Sequence, residues 1–271
     1  MKKLMTLCTA CLVASMATAQ GVESQNIVGY DTTALVAGKF NMLGGAFTTV
    51  GKDGFNLNAD FTGVNLTAGA DSGASDTIKI HNAATGGYAT YYLYEYDAGE
   101  PDYPGGWYNA ENDALFEDDY PNGLPAGSSF WYLAKATTTG ASVTFAGQVP
   151  ADASYTKGLV RSKFNMVASP YPVNLNLNDP AAVTLVGATA GADSGASDTI
   201  KIHNAATGGY ATYYLYEYDA GEPDYPGGWY NAENDALFED DYPNGLPVGK
   251  PFWYLAKAGS GTFEMIFNKT F

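Results

Sequence analysis

Residues 69–125 recur letter for letter at 191–247, an offset of 122 over 57 residues. The near-copies Phe130-Trp131-Tyr132-Leu133-Ala134-Lys135-Ala136 and Phe252-Trp253-Tyr254-Leu255-Ala256-Lys257-Ala258 follow, so one structural unit has been written twice. Upstream, Lys39-Phe40-Asn41-Met42 matches Lys163-Phe164-Asn165-Met166 at an offset of 124, which places a two-residue indel between residues 43 and 68. The expected division is a first repeat domain at 20–149 and a second at 150–271, joined near Pro150. No low-complexity linker separates them, so the two units are expected to abut. Identity between the copies does not itself mark a site, because recent duplication or gene conversion produces it without selection on any residue.

The first 19 residues read as a secretory signal. Lys2 and Lys3 supply a positive start, Leu4 begins an apolar run that ends at Met16, and Ala17-Thr18-Ala19 is an A-x-A cleavage site. The apolar run is too short for a membrane span, and the lipoprotein alternative at Cys11 is disfavoured because Cys8 stands where a leucine is wanted. The chain is therefore expected to be secreted, extracellular or at the cell surface, with the periplasm as the other compartment, and not to insert in the membrane after cleavage. Both cysteines, Cys8 and Cys11, lie in this segment, so burial rather than disulfides or thiolate metal sites must hold the remainder together.

Charge narrows the partners. Loss of residues 1–19 takes the net charge from −16 to −18. Each duplicated block holds eleven carboxylates against one lysine, so the two blocks contribute −20 and all other residues sum to +2. Such a field repels phosphates, and Arg161 is the one arginine for bidentate phosphate contacts; nucleic acid is excluded as a partner.

Strand signals dominate. Residues 77–81 and 88–96 alternate about a turn at 82–87, and 40–43, 130–136 and 142–146 read as further strands. Glycine and proline punctuate the intervals, and short helical turns are expected only at 111–116 and 179–182. Many short strands between turn clusters predict an all-β chain: two tandem antiparallel β-sandwich or small-barrel domains of similar fold. Phe263, Met265, Phe267 and Phe271 alternate at the C-terminus, and read as a soluble closing strand rather than the end of an outer-membrane barrel.

The phrases Asn26-Ile27-Val28-Gly29-Tyr30, Gly87-Tyr88-Ala89-Thr90-Tyr91, Gly106-Trp107, 125–131 and 143–150, with the signal segment, carry a resemblance across most of the chain. It resembles uncharacterised secreted β-rich repeat proteins of planctomycete and verrucomicrobial bacteria, and departs from them at 261–271. The resemblance implies an extracellular location and a β-rich repeat, and no chemistry.

Alternation along 88–96 puts Tyr88, Thr90, Tyr92, Tyr94 and Tyr96 on one face. With Trp107 and Tyr108 close by, these rings offer a platform for sugars, since tyrosine combines an apolar face with a hydroxyl. The candidate ligand-binding residues are Tyr92, Tyr94, Trp107 and Tyr108 with their copies Tyr214, Tyr216, Trp229 and Tyr230. The competing reading is that the rings pack a half-buried sheet. Asp97, Glu100 and Asp102, copied as Asp219, Glu222 and Asp224, bring oxygen ligands together on a loop as calcium requires, although no EF-hand pattern is present; a solvated acidic loop is the alternative. Carboxylate pairs alone do not make a glycosidase, and His81 and His203, with no nucleophile motif beside them, read as solvated residues at a hairpin edge.

These signs favour a non-catalytic binding or adhesive protein, with polysaccharide or other surface proteins as partners and avidity from the duplicated site. The contrary expectation is a structural component of an extracellular layer or filament.

Overall fold

The computed structural model describes residues 27–99, 103–135, 139–219 and 226–271. The expected signal at 1–19 lies outside them. The chain is all-β with antiparallel sheets, as its alternating patterns require.

The first unit contains β1 (Val28–Ala34), β2 (Phe40–Gly44), β3 (Gly54–Phe55), β4 (Phe61–Val64), β5 (Thr77–His81), β6 (Tyr88–Tyr94), β7 (Gly106–Asn109), the one-turn helix α1 (Phe116–Asp119), β8 (Leu124–Pro125), β9 (Ser129–Leu133) and β10 (Ser142–Gln148). The second contains β11 (Ser154–Gly158), β12 (Phe164–Val167), β13 (Val183–Val186), β14 (Thr199–His203), β15 (Tyr210–Tyr216), β16 (Gly228–Asn231), α2 (Phe238–Asp241), β17 (Phe252–Leu255) and β18 (Glu264–Asn268). Their sheets correspond strand for strand: five strands in the order β2-β9-β5-β6-β7 or β12-β17-β14-β15-β16, facing three in the order β1-β10-β4 or β11-β18-β13. The paired strands β3 and β8 are reduced in the second unit to a single bridge, Leu175 with Leu246, within the region of the indel.

Each sandwich closes over its own aromatic core. Ile78, Tyr91, Trp107, Phe130 and Tyr132 from the larger sheet meet Phe61, Val143 and Phe145 from the smaller, all 5% exposed or less. Ile200, Tyr213, Trp229, Phe252 and Tyr254 meet Val183, Met265 and Phe267 in the second core. Phe263, Met265 and Phe267 are thus buried by a closing strand, β18, central in its sheet, whereas Phe271 lies beyond the strand and is 57% exposed.

A buried carboxylate organises each core edge. Asp76, fully buried, accepts hydrogen bonds from the Thr67 N–H (3.0 Å), the Tyr132 hydroxyl (2.7 Å) and the Lys135 N–H (2.8 Å). Asp198 repeats this with Thr189, Tyr254 and Lys257 at 3.1, 2.9 and 2.7 Å. Burial and the neighbouring carboxylate push both tyrosine hydroxyls well above their ordinary pKa, so they remain donors. Among the described residues no helix is long and apolar enough to cross a membrane.

Candidate functional site

The outer face of each five-stranded sheet carries Lys79, His81, Tyr88, Thr90, Tyr92 and Trp131, or their copies, because side chains alternate and β5, β6 and β9 pair with Lys79 opposite both Thr90 and Trp131. At one end this face is covered by the other unit. Met42, Trp131, Met166 and Trp253 form a third apolar cluster, two residues from each unit, with the tryptophan rings 6.3 Å apart. The contacts around it are reciprocal. His81 stands edge-on to Trp253 and His203 edge-on to Trp131, each at 4.8 Å. The Gly44 N–H donates to the Gly249 carbonyl (3.1 Å), and the Ala168 N–H to the Gly127 carbonyl (3.3 Å). Equivalent residues exchanging equivalent bonds describe a pseudo-two-fold axis through the seam.

Close approach demands the glycines there. Gly127 and Gly249 have φ of +69° and +67°, and a Cβ on Gly127 would lie 3.0 Å from the Ala168 carbonyl oxygen. A Cβ on Gly44 would lie 2.4 Å from that of Ala168, so only one member of this pair can carry a methyl group. Beside them the Lys157 ammonium donates to the Gly127 carbonyl (3.0 Å); burial alone draws its pKa down to about 8.

Two clefts flank the seam. One, of about 610 Å³, is lined by His81, Tyr88 and Trp131 of the first unit and by Lys163, Phe164, Lys201, Tyr210 and Trp253 of the second. The other, of about 520 Å³, is its pseudo-symmetric counterpart, with His203, Tyr210, Lys39, Phe40, Lys79, Tyr88 and Trp131. They share Tyr88, Trp131 and Tyr210, so the two run together as one groove across the axis.

Local structure sets each wall. The 82–87 turn is closed by the Asn82 side chain, which accepts from the Ala84 and Thr85 N–H groups, and by Gly86 at φ +76°; it holds Ala83 and Gly86 over the other unit. The lysine-bearing turns are pinned by buried asparagines. Asn41 accepts from the Val36 N–H (2.8 Å) and donates to the Lys39 carbonyl (2.9 Å), and Asn165 does the same with Val160 and Lys163. Phe40 and Phe164 are about two-fifths exposed and rest edge-on against Trp131 and Trp253.

The histidines expected to be solvated are not. His203 is 6% exposed, and the Nδ1 atoms of both His81 and His203 are buried without a hydrogen-bond partner. Desolvation lowers both pKa values, and Lys250, whose ammonium donates to the His203 carbonyl, lowers that of His203 further.

The tyrosine platform survives in part, outside the seam. Tyr92, Tyr94 and Tyr108 cluster with Tyr103 at centroid distances of 5.5–6.5 Å, and Tyr214, Tyr216 and Tyr230 repeat the cluster. Tyr92 and Tyr108 are 7% and 3% exposed, so the rings largely cover one another. The Tyr92 hydroxyl donates to Asp113 and that of Tyr108 to the Pro104 carbonyl; burial, ahead of the Asp113 charge, pushes the Tyr92 pKa up to about 12. Trp107 and Trp229 do not belong to this platform. Trp107 pairs with Leu93 while Tyr108 pairs with Tyr92, so the tryptophan points to the opposite face and lies in the core, 2% exposed; Trp229 does the same at 1%.

Of the candidate calcium ligands, Glu100, Asp102, Glu222 and Asp224 lie outside the described residues. Asp97 caps its own loop, accepting from the Gly99 N–H at 2.8 Å. Among the described residues, no group of three or more His, Cys, Asp or Glu side chains is placed to hold a metal ion.

Sequence reasoning missed Trp131, Trp253, Lys39, Lys79, Lys163 and Lys201 as site residues. One signal was available: Phe130-Trp131-Tyr132-Leu133 is apolar on both faces, as a strand covered on both sides must be. No protein-family model, curated protein or solved structure matches this chain.

Proposed function

We propose that this chain is a non-catalytic binding protein that acts outside the cell, and that its ligand is a carbohydrate held in the groove along the seam. The observation that carries this reading is the composition of the groove. Tryptophan, tyrosine and phenylalanine rings from both units flank it, with Tyr88 and Tyr210 about two-fifths exposed at its centre. Partly exposed rings beside lysine and histidine donors suit a ligand with apolar ring faces and peripheral hydroxyls. The extracellular setting is supported by the signal-like segment 1–19. The non-catalytic assignment is supported by the use of the buried carboxylates. Asp76 and Asp198 are each held by three structural donors, and among the described residues no aspartate or glutamate lines either cleft.

Affinity electrophoresis through gels containing soluble polysaccharides tests the reading. Retardation by at least one polysaccharide, abolished in the Tyr88→Ala/Tyr210→Ala variant, is the expected result; retardation unchanged in that variant contradicts it. The structural-layer alternative has its own support, in the edge strand β1, where Val28 and Tyr30 are 65% and 78% exposed. Concentration-dependent assembly in sedimentation, lost on Tyr30→Lys, is what that alternative requires.

A further inference from the structure

Resting on the carbohydrate reading, we infer that the saccharide taken by the seam is acidic, a chain of uronate sugars whose carboxylates meet four lysines. Outside the first 19 residues the chain has eleven lysines and arginines, and four of them, Lys39, Lys79, Lys163 and Lys201, line the two clefts. Among the described residues no carboxylate lines either cleft, although the chain as a whole carries a net charge of −16. The seam is therefore a cationic strip on an acidic protein, and its cations alternate with aromatic rings. In register, Lys79 lies between Thr90 and Trp131, and Lys201 between Thr212 and Trp253, with the Lys201 ammonium 3.2 Å from the Thr212 hydroxyl.

That arrangement fits a six-membered ring with one carboxylate. The ring stacks on the exposed phenol of Tyr88 or Tyr210, and the carboxylate reaches an ammonium beside it. The cations are compact ammonium groups; Arg161, the one guanidinium, is committed to the Gly187 carbonyl at 2.7 Å. Ammonium groups act as point charges without a bidentate fork, so the ring stacked beside them, with its single carboxylate, decides the fit, and the heparin and oligothymidylate arms below distinguish sulfate and phosphate. The acidic blocks elsewhere oppose approach of any polyanion, but charges beyond about 8 Å are largely screened at physiological salt, whereas the groove lysines act at contact. The pseudo-two-fold makes a further demand: the two halves of the groove should contribute alike.

Calorimetric titration of the full chain with hexagalacturonate, cellohexaose, a heparin hexasaccharide and an oligothymidylate tests this. Hexagalacturonate should bind most tightly, with an affinity that falls as salt rises. Lys39→Gln/Lys79→Gln and Lys163→Gln/Lys201→Gln should each weaken it by about tenfold, two partly exposed charge-assisted bonds being lost in each case. Near-ultraviolet circular dichroism confirms that the variants keep the seam aromatics in place. Hexagalacturonate binding unchanged in both lysine variants, or changed in only one, overturns the inference. Equal binding of cellohexaose, lost in Tyr88→Ala/Tyr210→Ala, overturns the acidic ligand while keeping the carbohydrate reading. Tightest binding of heparin or oligothymidylate overturns the uronate, and absence of binding by any of the four overturns the carbohydrate reading as well.

Discussion

The two units share 57 consecutive residues, yet those residues do not sit in the same surroundings. Thr77–His81 reads buried, buried and then three half-buried positions, while Thr199–His203 is buried at four of five. The cause lies outside the copied block. Lys250 stands where the first unit has Ser128, and its ammonium caps the His203 carbonyl; Lys157 stands where the first unit has Thr33, and reaches across to Gly127. Gly44 faces Ala168. The copied residues thus build two equal sandwiches with equal cleft walls, and the uncopied ones decide how closely each half of the seam is sealed. Duplication supplies symmetry, and divergence at the contact lets one unit carry a methyl group where the other must keep glycine, since methyl groups at both 44 and 168 would collide.

The largest effect should come from the feature the copies share most fully. Asp76→Ala leaves a tyrosine hydroxyl and two backbone N–H groups buried without an acceptor, at a cost of about 3 kcal/mol or more. Asp198→Ala should cost the same to within about 1 kcal/mol, the networks being equivalent. Urea unfolding of the two variants measures both, and a difference well beyond that margin would break the equivalence of the cores.

A smaller and asymmetric effect belongs to the seam. Gly44→Ala places a methyl group 2.4 Å from the Ala168 Cβ and should cost about 1–3 kcal/mol by overpacking. Ala168→Gly removes that collision, so the double variant should recover most of the loss. Equal stability of wild type and Gly44→Ala would mean that the units do not dock as closely as described.

The smallest effect separates the histidines. Both have folded pKa values below the ordinary 6.5, so the unfolded chain takes up protons first as pH falls. Stability is therefore whole above about pH 6.5 and declines as pH drops from there toward the lowered folded values. The groups facing His81 are Tyr88, Trp253, Lys163 and Lys201; those facing His203 are Tyr210, Trp131, Lys39, Lys79 and Lys250. Glu111 lines a hollow beside His81, yet burial alone sets the direction there, and at His203 burial and then the Lys250 charge act the same way, so neither imidazolium is offset. Lys250→Ser, which gives the second unit the residue of the first, should raise the His203 titration seen by NMR toward that of His81 and leave His81 unmoved.

Much of this fold is legible in the residues. The repeat announces two like units, and the 77–81 and 88–96 alternation gives the central hairpin with its turn, although the second strand ends at Tyr94. The tyrosine face is legible too, but nearness in sequence does not give Trp107 the same face as Tyr108, because adjacent strand residues point oppositely. The seam was the least legible part. It depends on which outer faces meet, a matter settled by Met42, Trp131, Met166 and Trp253 together, and no local period encodes contacts between residues of different units, 30 or more positions apart.

The docked pair is the claim on which the groove, the shared lysine strip and the protected histidines all depend. Tyr88 and Tyr210 belong to different units, are about two-fifths exposed and line both clefts. The direct test is the rate at which a short bis-maleimide bridges Tyr88→Cys to Tyr210→Cys within one chain of residues 20–271, which has no cysteine of its own. Docking predicts rapid intramolecular bridging, far faster than for Tyr88→Cys paired with Tyr218→Cys, an exposed position on the second unit outside the groove. Equal, slow bridging of both pairs would show two sandwiches moving independently, and would contradict the seam.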